Sequence, residues 1–232
     1  MLLLQLRAEV LEANLELVRK GLVLYTFGNV SGVSREQGLI VIKPSGVPYD
    51  TMKPEHLVVT DMEGKIVEGD LRPSSDLATH LALYRAFPEI GGVAHSHSEY
   101  ATAWAQARRP IPCFGTTHAD YYHGSVPVTD PMADEEITGD YEMNTGHAIV
   151  RTLHKTGAAH VPGILVANHG PFAWGASAMK AAESAAILEY IARIACFTLS
   201  INGSSAAIGQ ALHDKHFLRK HGANSYYGQK KD

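Results

Sequence analysis

Two short apolar runs in this sequence close on histidine: Gly-Gly-Val-Ala-His-Ser-His-Ser at 91–98 and Gly-Ile-Leu-Val-Ala-Asn-His-Gly at 163–170. Runs of this length, bounded by turn residues, read as β-strands. A strand sends residues i and i+2 to one face. His95 and His97 then stand side by side at a strand end, and His169 closes a second strand. Whatever this chain folds into must include strands whose ends carry imidazoles.

Strands and helices alternate imperfectly around these runs. Residues 2–20 carry Leu4, Val10, Leu11, Leu15, Leu17 and Val18 on a helical stripe that stops at Gly21. Residues 28–32, with two glycines, read as a turn. Residues 38–46 read as a strand running into Pro-Ser-Gly, and 56–61 as a strand with a hairpin return at 66–69. A helix is expected over 72–90, with Ser74 or Ser75 as its cap, Asp76 in its first turn and Pro88 at its end. Further helices are expected at 99–107, 141–155 and 176–201, the last Ala-rich. Short strands and turns are expected around 112–130, and 163–170 is expected to end at a Gly-Pro turn. There is no internal repeat, low-complexity tract or linker. A length of 232 residues suits one domain, an α/β or α+β layered one with a mixed or antiparallel sheet.

Composition excludes several classes. Twenty basic and 24 acidic residues leave a formal charge of −4. A nucleic-acid or membrane-surface binder needs a concentrated basic face instead. With 45% apolar and 19% charged residues the chain is an ordinary globule. Its two cysteines, Cys113 and Cys196, build no disulfide framework. No unbroken apolar run reaches the 18 residues or so of a membrane span. The N-terminal segment alternates with charge, unlike a signal peptide, so the cytoplasm is the expected location.

Thirteen histidines against six Phe and two Trp direct attention to metal and acid/base chemistry. His95, His97 and His169, with Asp76 upstream, make three imidazoles and a carboxylate, a set that suits zinc or a similar divalent ion. A half-exposed strand with one polar face would also explain the His-Ser-His spacing. Gly28-Asn29, Ser45-Gly46 with Lys43, and Ser74-Ser75 at a helix start are candidate anion cradles. Taken alone, the serine pair reads as simple capping. Asp120, in Thr-Thr-His-Ala-Asp-Tyr-Tyr, is either an acid/base group or a turn carboxylate bonding its own backbone. The tail carries His213, His216, His221, Tyr226 and Tyr227. It either frays or docks on a neighbouring subunit.

Taken in order, Gly-Asn-Val-Ser (28–31), Ile-Lys-Pro-Ser-Gly (42–46), Arg-Pro-Ser-Ser-Asp (72–76), His-Ser-His-Ser (95–98), Gly-Thr-Thr-His-Ala-Asp-Tyr-Tyr (115–122), Asn-His-Gly-Pro-Phe-Ala-Trp-Gly (168–175) and the tail at 215–229 resemble the class II, zinc-dependent sugar-phosphate aldolase and epimerase family over essentially the whole chain. The resemblance implies one three-layer α/β/α domain, residues 1–232, on a largely antiparallel central sheet. It implies a cyclic homotetramer with active sites at subunit interfaces, the tail (about 213–232) completing a neighbour's site. It implies a divalent metal, zinc or another, on Asp76, His95, His97 and His169, and no nucleotide or organic cofactor. Gly28, Asn29, Lys43, Ser45, Gly46, Ser74 and Ser75 match phosphate-binding positions. Asp120 and Tyr227 match an acid/base pair, and His216 a further residue nearby.

Aldolase members of the family carry Glu after Pro-Ser-Ser, whereas Asp76 stands here. The resemblance is therefore to the epimerase branch. It implies inversion of L-ribulose 5-phosphate at C4 to D-xylulose 5-phosphate, in pentose, arabinose or ascorbate breakdown. The implied route cuts C3–C4 by a retro-aldol step, turns the aldehyde and rejoins the bond. Competing readings are an aldolase that releases its fragments, a non-catalytic adducin-like domain, and a zinc hydrolase, for which the HExxH signature is absent.

Overall fold

A computed structural model describes residues 1–156, 161–223 and 225–228. In chain order the elements are α1 (Leu4–Arg19), β1 (Asn29–Ser34), β2 (Leu39–Ile42), β3 (Val58–Asp61), β4 (Ile66–Glu68), α2 (Leu77–Ala86), β5 (Gly92–His95), α3 (Glu99–Gln106), α4 (Thr116–Ala119), α5 (Asp134–Thr138), α6 (Tyr141–Thr156), β6 (Gly163–Val166), β7 (Gly170–Gly175), α7 (Ala178–Ile201) and α8 (Gln210–His221). The strands form one seven-stranded sheet in the order β4-β3-β2-β1-β5-β7-β6. Every named pair is antiparallel.

Both faces of this sheet are covered, and the strand period decides which residue goes where. Ile40, Ile42, Val58, Val93, Phe172 and Trp174 join one core, with Leu81 and Tyr84 of α2, Trp104 of α3 and Ile149 of α6. Their sequence neighbours Val41, Val59, Ala94 and Ala173 face the opposite way. There they meet Val10, Ala13 and Leu17 of α1 and the alanines of α7. Because both faces are buried, the strands read as continuous apolar runs. The result is the expected α/β/α layering on an antiparallel sheet.

The structure departs from the sequence reading at several places. Residues 28–32 are not a turn: Asn29–Ser34 is the central strand β1, bonded on both sides by β2 and β5. Its Asn-Val-Ser-Gly-Val-Ser carries only two apolar side chains, so its ladders, not its pattern, make it a strand. Gly170-Pro171 is no turn either. It opens β7, and the turn lies just before, at residues 167–169. The strand of the His-Ser-His motif stops at His95, so His97 lies beyond it. The 112–130 region contains the helical turn α4, α5 is an additional helix, and the tail forms α8. α7, with mean hydropathy 1.5, is long and apolar enough by length and composition to cross a membrane. Here eight of its residues are buried along its length, and it packs against β5, β7, α1 and α3.

Candidate active site

The sheet's register builds the site. His95 ends β5 opposite Asn29 of β1 on one side and Phe172 of β7 on the other. The β6–β7 turn then swings His169 back toward His95. Asn168, at φ 63°, supplies the left-handed residue this turn needs, a conformation asparagine tolerates well. Gly28 meets a stricter demand: its φ is 78° and a Cβ there would stand 2.8 Å from the His95 carbonyl oxygen. Only glycine lets the chain enter β1 this close to β5.

Three imidazoles converge as a result. Ligand-capable atoms of His95, His97 and His169 all lie within 4.8 Å of one another. His95 Nε2 and His97 Nε2 are 3.1 Å apart. The Nδ1 of His95 donates to the Pro171 carbonyl at 2.9 Å, which fixes its tautomer and leaves Nε2 bare. Phe172 stacks on the same ring at 4.1 Å. Burial, then neighbouring His95, lowers the pKa of His97. Burial, with His95 and His97, pushes His169 down to about 4. Imidazole nitrogens turned together are the chemistry of a metal site, and this donor set fits a divalent ion.

Asp76 stands apart from that trio. It is the N-cap residue of α2, outside the first turn, and makes no side-chain cap bond. Its Oδ2 instead accepts from Asn29 Nδ2 at 2.6 Å. Burial raises its pKa, but His95, His80 and the Asn29 bond more than offset this and hold it below the ordinary carboxylate range. Neither Ser74 nor Ser75 caps α2 through its side chain; Ser74 Oγ accepts only a long bond, 3.4 Å, from Asp76 N–H.

The three candidate anion cradles share one cavity of about 390 Å³ with the histidines and Asp76. Backbone pairing holds two of its walls together: Ser45 N–H donates to Arg72 O and Ser74 N–H to Lys43 O, both at 2.9 Å. Lys43 is buried over the Tyr49 ring, 4.8 Å from its centroid, and burial draws its ammonium pKa down to about 8. Tyr49 hydroxyl in turn donates to Gly28 O at 2.8 Å. A larger cavity, about 830 Å³, lies among α1, α3 and α7, but it holds no histidine cluster.

Two residues that sequence reasoning passed over complete this cavity. Tyr141, the first residue of α6, places its hydroxyl 3.2 Å from His169 Nδ1, and Glu142 lines the wall beside it. Gly146 makes this possible, because a Cβ there would sit 2.5 Å from Ala82 and force α6 off α2. Nothing in the spacing of 141–142 signals a site; only the packing of two distant helices brings them in.

Asp120, His216 and Tyr227 do not line this cavity. They form a second group where α8 and the residues after it pack on α4, whose C-cap is Asp120. Arg219 grips Asp120 with two nitrogens, the shortest contact at 2.8 Å, and His216 Nδ1 stands 3.0 Å from it. Burial raises the Asp120 pKa, but Arg219, His216 and Lys220 outweigh it and hold the carboxyl low. His221 donates to the Asp120 backbone carbonyl; the carboxylate itself is taken up by Arg219 and His216, so it is not a turn carboxylate serving its own backbone. Tyr227 folds back over Arg219 and Lys220, whose charged ends lie 4.8 and 4.5 Å from its ring centroid. The tyrosine itself stays 59% exposed.

The family described as Class II Aldolase and Adducin N-terminal domain matches residues 8–196. L-ribulose-5-phosphate 4-epimerase UlaF of Salmonella paratyphi B is 54% identical over 226 residues, covering 97% of this chain and 99% of the relative. The protein of that name from Salmonella typhi is also 54% identical over 226 residues, with the same coverage. Among solved structures, an L-fuculose 1-phosphate aldolase superposes with a TM-score of 0.77 at 28% identity, covering 91% of this chain and 94% of that one.

Proposed function

The chain belongs to the class II aldolase and adducin family, and from that premise we propose that it is a metal-dependent epimerase interconverting L-ribulose 5-phosphate and D-xylulose 5-phosphate at C4. The observation that carries this reading is one cavity in which a three-histidine cluster shares its walls with Lys43, Gly28-Asn29, Ser45-Gly46 and Ser74-Ser75. A sugar phosphate needs both: a grip for its anionic end and a polarising centre at its carbonyl.

The C4 proton is not acidic, because C4 is not adjacent to the C2 carbonyl. Inversion therefore goes through the C3–C4 bond. A base removes the C4 hydroxyl proton, C3–C4 breaks, and its electron pair moves toward the C2 oxygen. An enediolate and glycolaldehyde phosphate result; the aldehyde turns and the bond re-forms on its other face. His95, His97, His169 and Asp76 would hold the ion, zinc being the best match to these donors, and when bound it supplies a Lewis acid for the C2 oxygen. Lys43, with Gly28-Asn29, Ser45-Gly46 and Ser74-Ser75, would retain the phosphate so that the aldehyde turns without escaping.

Two acid/base groups are needed, since the C4 oxygen departs from and returns to opposite faces. Asp120 and Tyr227 take these roles, with His216 beside them. Their distance from the cavity within one protomer is accounted for if chains assemble as a homotetramer and α8 with its following residues reaches a neighbour's cavity. The domain would then span residues 1–232 and be catalytically complete only in the assembly. Asp120 is ionised: against burial, Arg219 and His216 hold its carboxyl low, and the Tyr227 ring lies against the charged ends of Arg219 and Lys220.

An aldolase releasing its fragments is the second reading, favoured by the likeness to the L-fuculose 1-phosphate enzyme. The higher identity to 4-epimerases over nearly the whole chain outweighs it. A ¹³C NMR time course with L-ribulose 5-phosphate separates the two. Growth of D-xylulose 5-phosphate is expected, and two- and three-carbon fragments as main products would move the chain to the aldolase reading.

A further inference from the structure

The start of α6 enters the candidate metal cavity, and the proposed reaction leaves its first residue without a task. Tyr141 opens the helix, its N–H donating to Gly139 O at 2.9 Å and its carbonyl accepting from Thr145 Oγ1 at 2.9 Å. Thr79 Oγ1 of α2 donates to the Glu142 carbonyl at 2.6 Å. One turn further on, Gly146 lies where a Cβ would stand 2.5 Å from Ala82 of α2. The helix that Asp76 precedes as N-cap thus sets where the Tyr141 side chain goes. It goes to His169: the hydroxyl stands 3.2 Å from Nδ1, with the two ring planes 28° apart. Both residues line the cavity that holds His95, His97 and Asp76.

Which atom carries the proton in this contact follows from what the ring has to do. A tyrosine hydroxyl can donate or accept, and a neutral imidazole has one N–H and one bare nitrogen. Among the described residues Tyr141 is the one hydrogen-bond partner of the His169 ring, and it occupies Nδ1. The nitrogen left for an ion is Nε2. A neutral ring that gives Nε2 to an ion carries its proton on Nδ1, so Nδ1–H donates and the Tyr141 oxygen accepts. His95 shows the same arrangement with a backbone partner: its Nδ1 donates to the Pro171 carbonyl at 2.9 Å, and its Nε2 is the atom 3.1 Å from His97. Where His95 uses a carbonyl of its own sheet, His169 uses a side chain from another helix.

We infer that Tyr141 is a positioning residue for the metal site: its hydroxyl oxygen accepts the Nδ1–H of His169, which fixes the tautomer and aim of that ring and leaves Nε2 to the ion. This rests on the reading of His169 as a ligand. Imidazoles that bind metals are held in this way through the other ring N–H, and loss of the partner weakens metal binding by about 10–100-fold.

The test is zinc affinity, measured by competition with a chromogenic chelator in the full-length protein. Tyr141→Phe keeps the ring and removes only the hydroxyl. Zinc should bind it about 10–100-fold more weakly than wild type, and in a His169→Asn background the same substitution should cost nothing further. An equal loss in both backgrounds, or none in either, would overturn the inference. Zinc affinity unchanged by His169→Asn alone would overturn the ligand reading, and the inference with it. Should Tyr141→Phe not fold, ¹⁵N NMR of histidine-labelled, zinc-loaded wild-type protein decides. A His169 ring protonated at Nδ1 supports the assignment, and one protonated at Nε2 refutes it.

Discussion

Lys43 is a cation held 2% exposed beside Gly28-Asn29, Ser45-Gly46 and Ser74-Ser75, which line the same cavity. Burial brings its pKa from 10.5 to about 8. Between those values the unfolded chain holds a proton that the folded chain has released, so this residue makes stability rise with pH across that window. Phosphate affinity runs the other way, because the ammonium is what pairs with the phosphate. The KM for the sugar phosphate should therefore climb as pH rises past about 8, with kcat affected less; a flat KM from pH 7 to 9 would remove Lys43 from the phosphate grip. Gly28 is constrained as tightly. Gly28→Ala puts a Cβ against the His95 backbone in a left-handed conformation, and should cost roughly 1–3 kcal/mol of stability in urea unfolding. A neutral result there would contradict the close approach of β1 to β5.

At the scale of elements, α8 is the one whose loss should separate binding from chemistry. Only His213 of this helix is buried, its Nε2 set between Tyr122 O at 2.8 Å and Gly124 N at 3.1 Å. Asp214 also pairs with His123 at 2.8 Å, and His216, Arg219 and His221 meet Asp120. Arg219→Ala removes the two-nitrogen grip and should leave zinc content intact, lower turnover by about 10²-fold or more, and expose the 202–210 segment to protease. Unchanged turnover would mean that α8 has no part in the reaction. The helix also shows where reading the sequence stops. Its polar, basic residues have no apolar stripe, because it packs through ion pairs and imidazoles rather than through a core. β1 was hidden for a related reason: Asn29, Ser31 and Gly32 are chosen for polar contacts and close packing, not for strand propensity. By contrast α1, β2, β3, α2, α6 and α7 announce themselves through apolar periodicity. The His95–His97–His169 trio was legible because strand ends are, whereas Tyr141 and Glu142 depend on how α6 lies across α2, which no local spacing encodes.

At the scale of the whole molecule, two consequences follow. Burial holds His80 at a pKa of about 3 and His118 at about 4, against 6.5 for an exposed ring. As pH falls below 6.5 the unfolded chain takes up protons that the folded chain refuses, so stability declines with falling pH down to those values. Urea unfolding of metal-free protein should show this slope between pH 6.5 and 4, about 1.4 kcal/mol per pH unit for each ring, and His118→Gln should reduce it. The second consequence concerns assembly. If the cavity of one chain is completed by α8 and Tyr227 of another, two inactive variants should rescue each other. If His97→Asn fails to hold metal and Tyr227→Phe loses a proton donor, mixed assemblies would contain sites spoiled by neither. Verified mixed assemblies without recovered activity would refute site sharing.

The most direct test of metal-dependent epimerisation in this cavity is a titration of zinc into chelator-treated protein, with the conversion of L-ribulose 5-phosphate to D-xylulose 5-phosphate followed by NMR at each step. Conversion should be absent without metal, rise in proportion to zinc and level off at about one ion per protomer, and His97→Asn should shift or abolish that rise. Conversion that is independent of added zinc, or no conversion at saturating zinc in an intact assembly, would contradict the account.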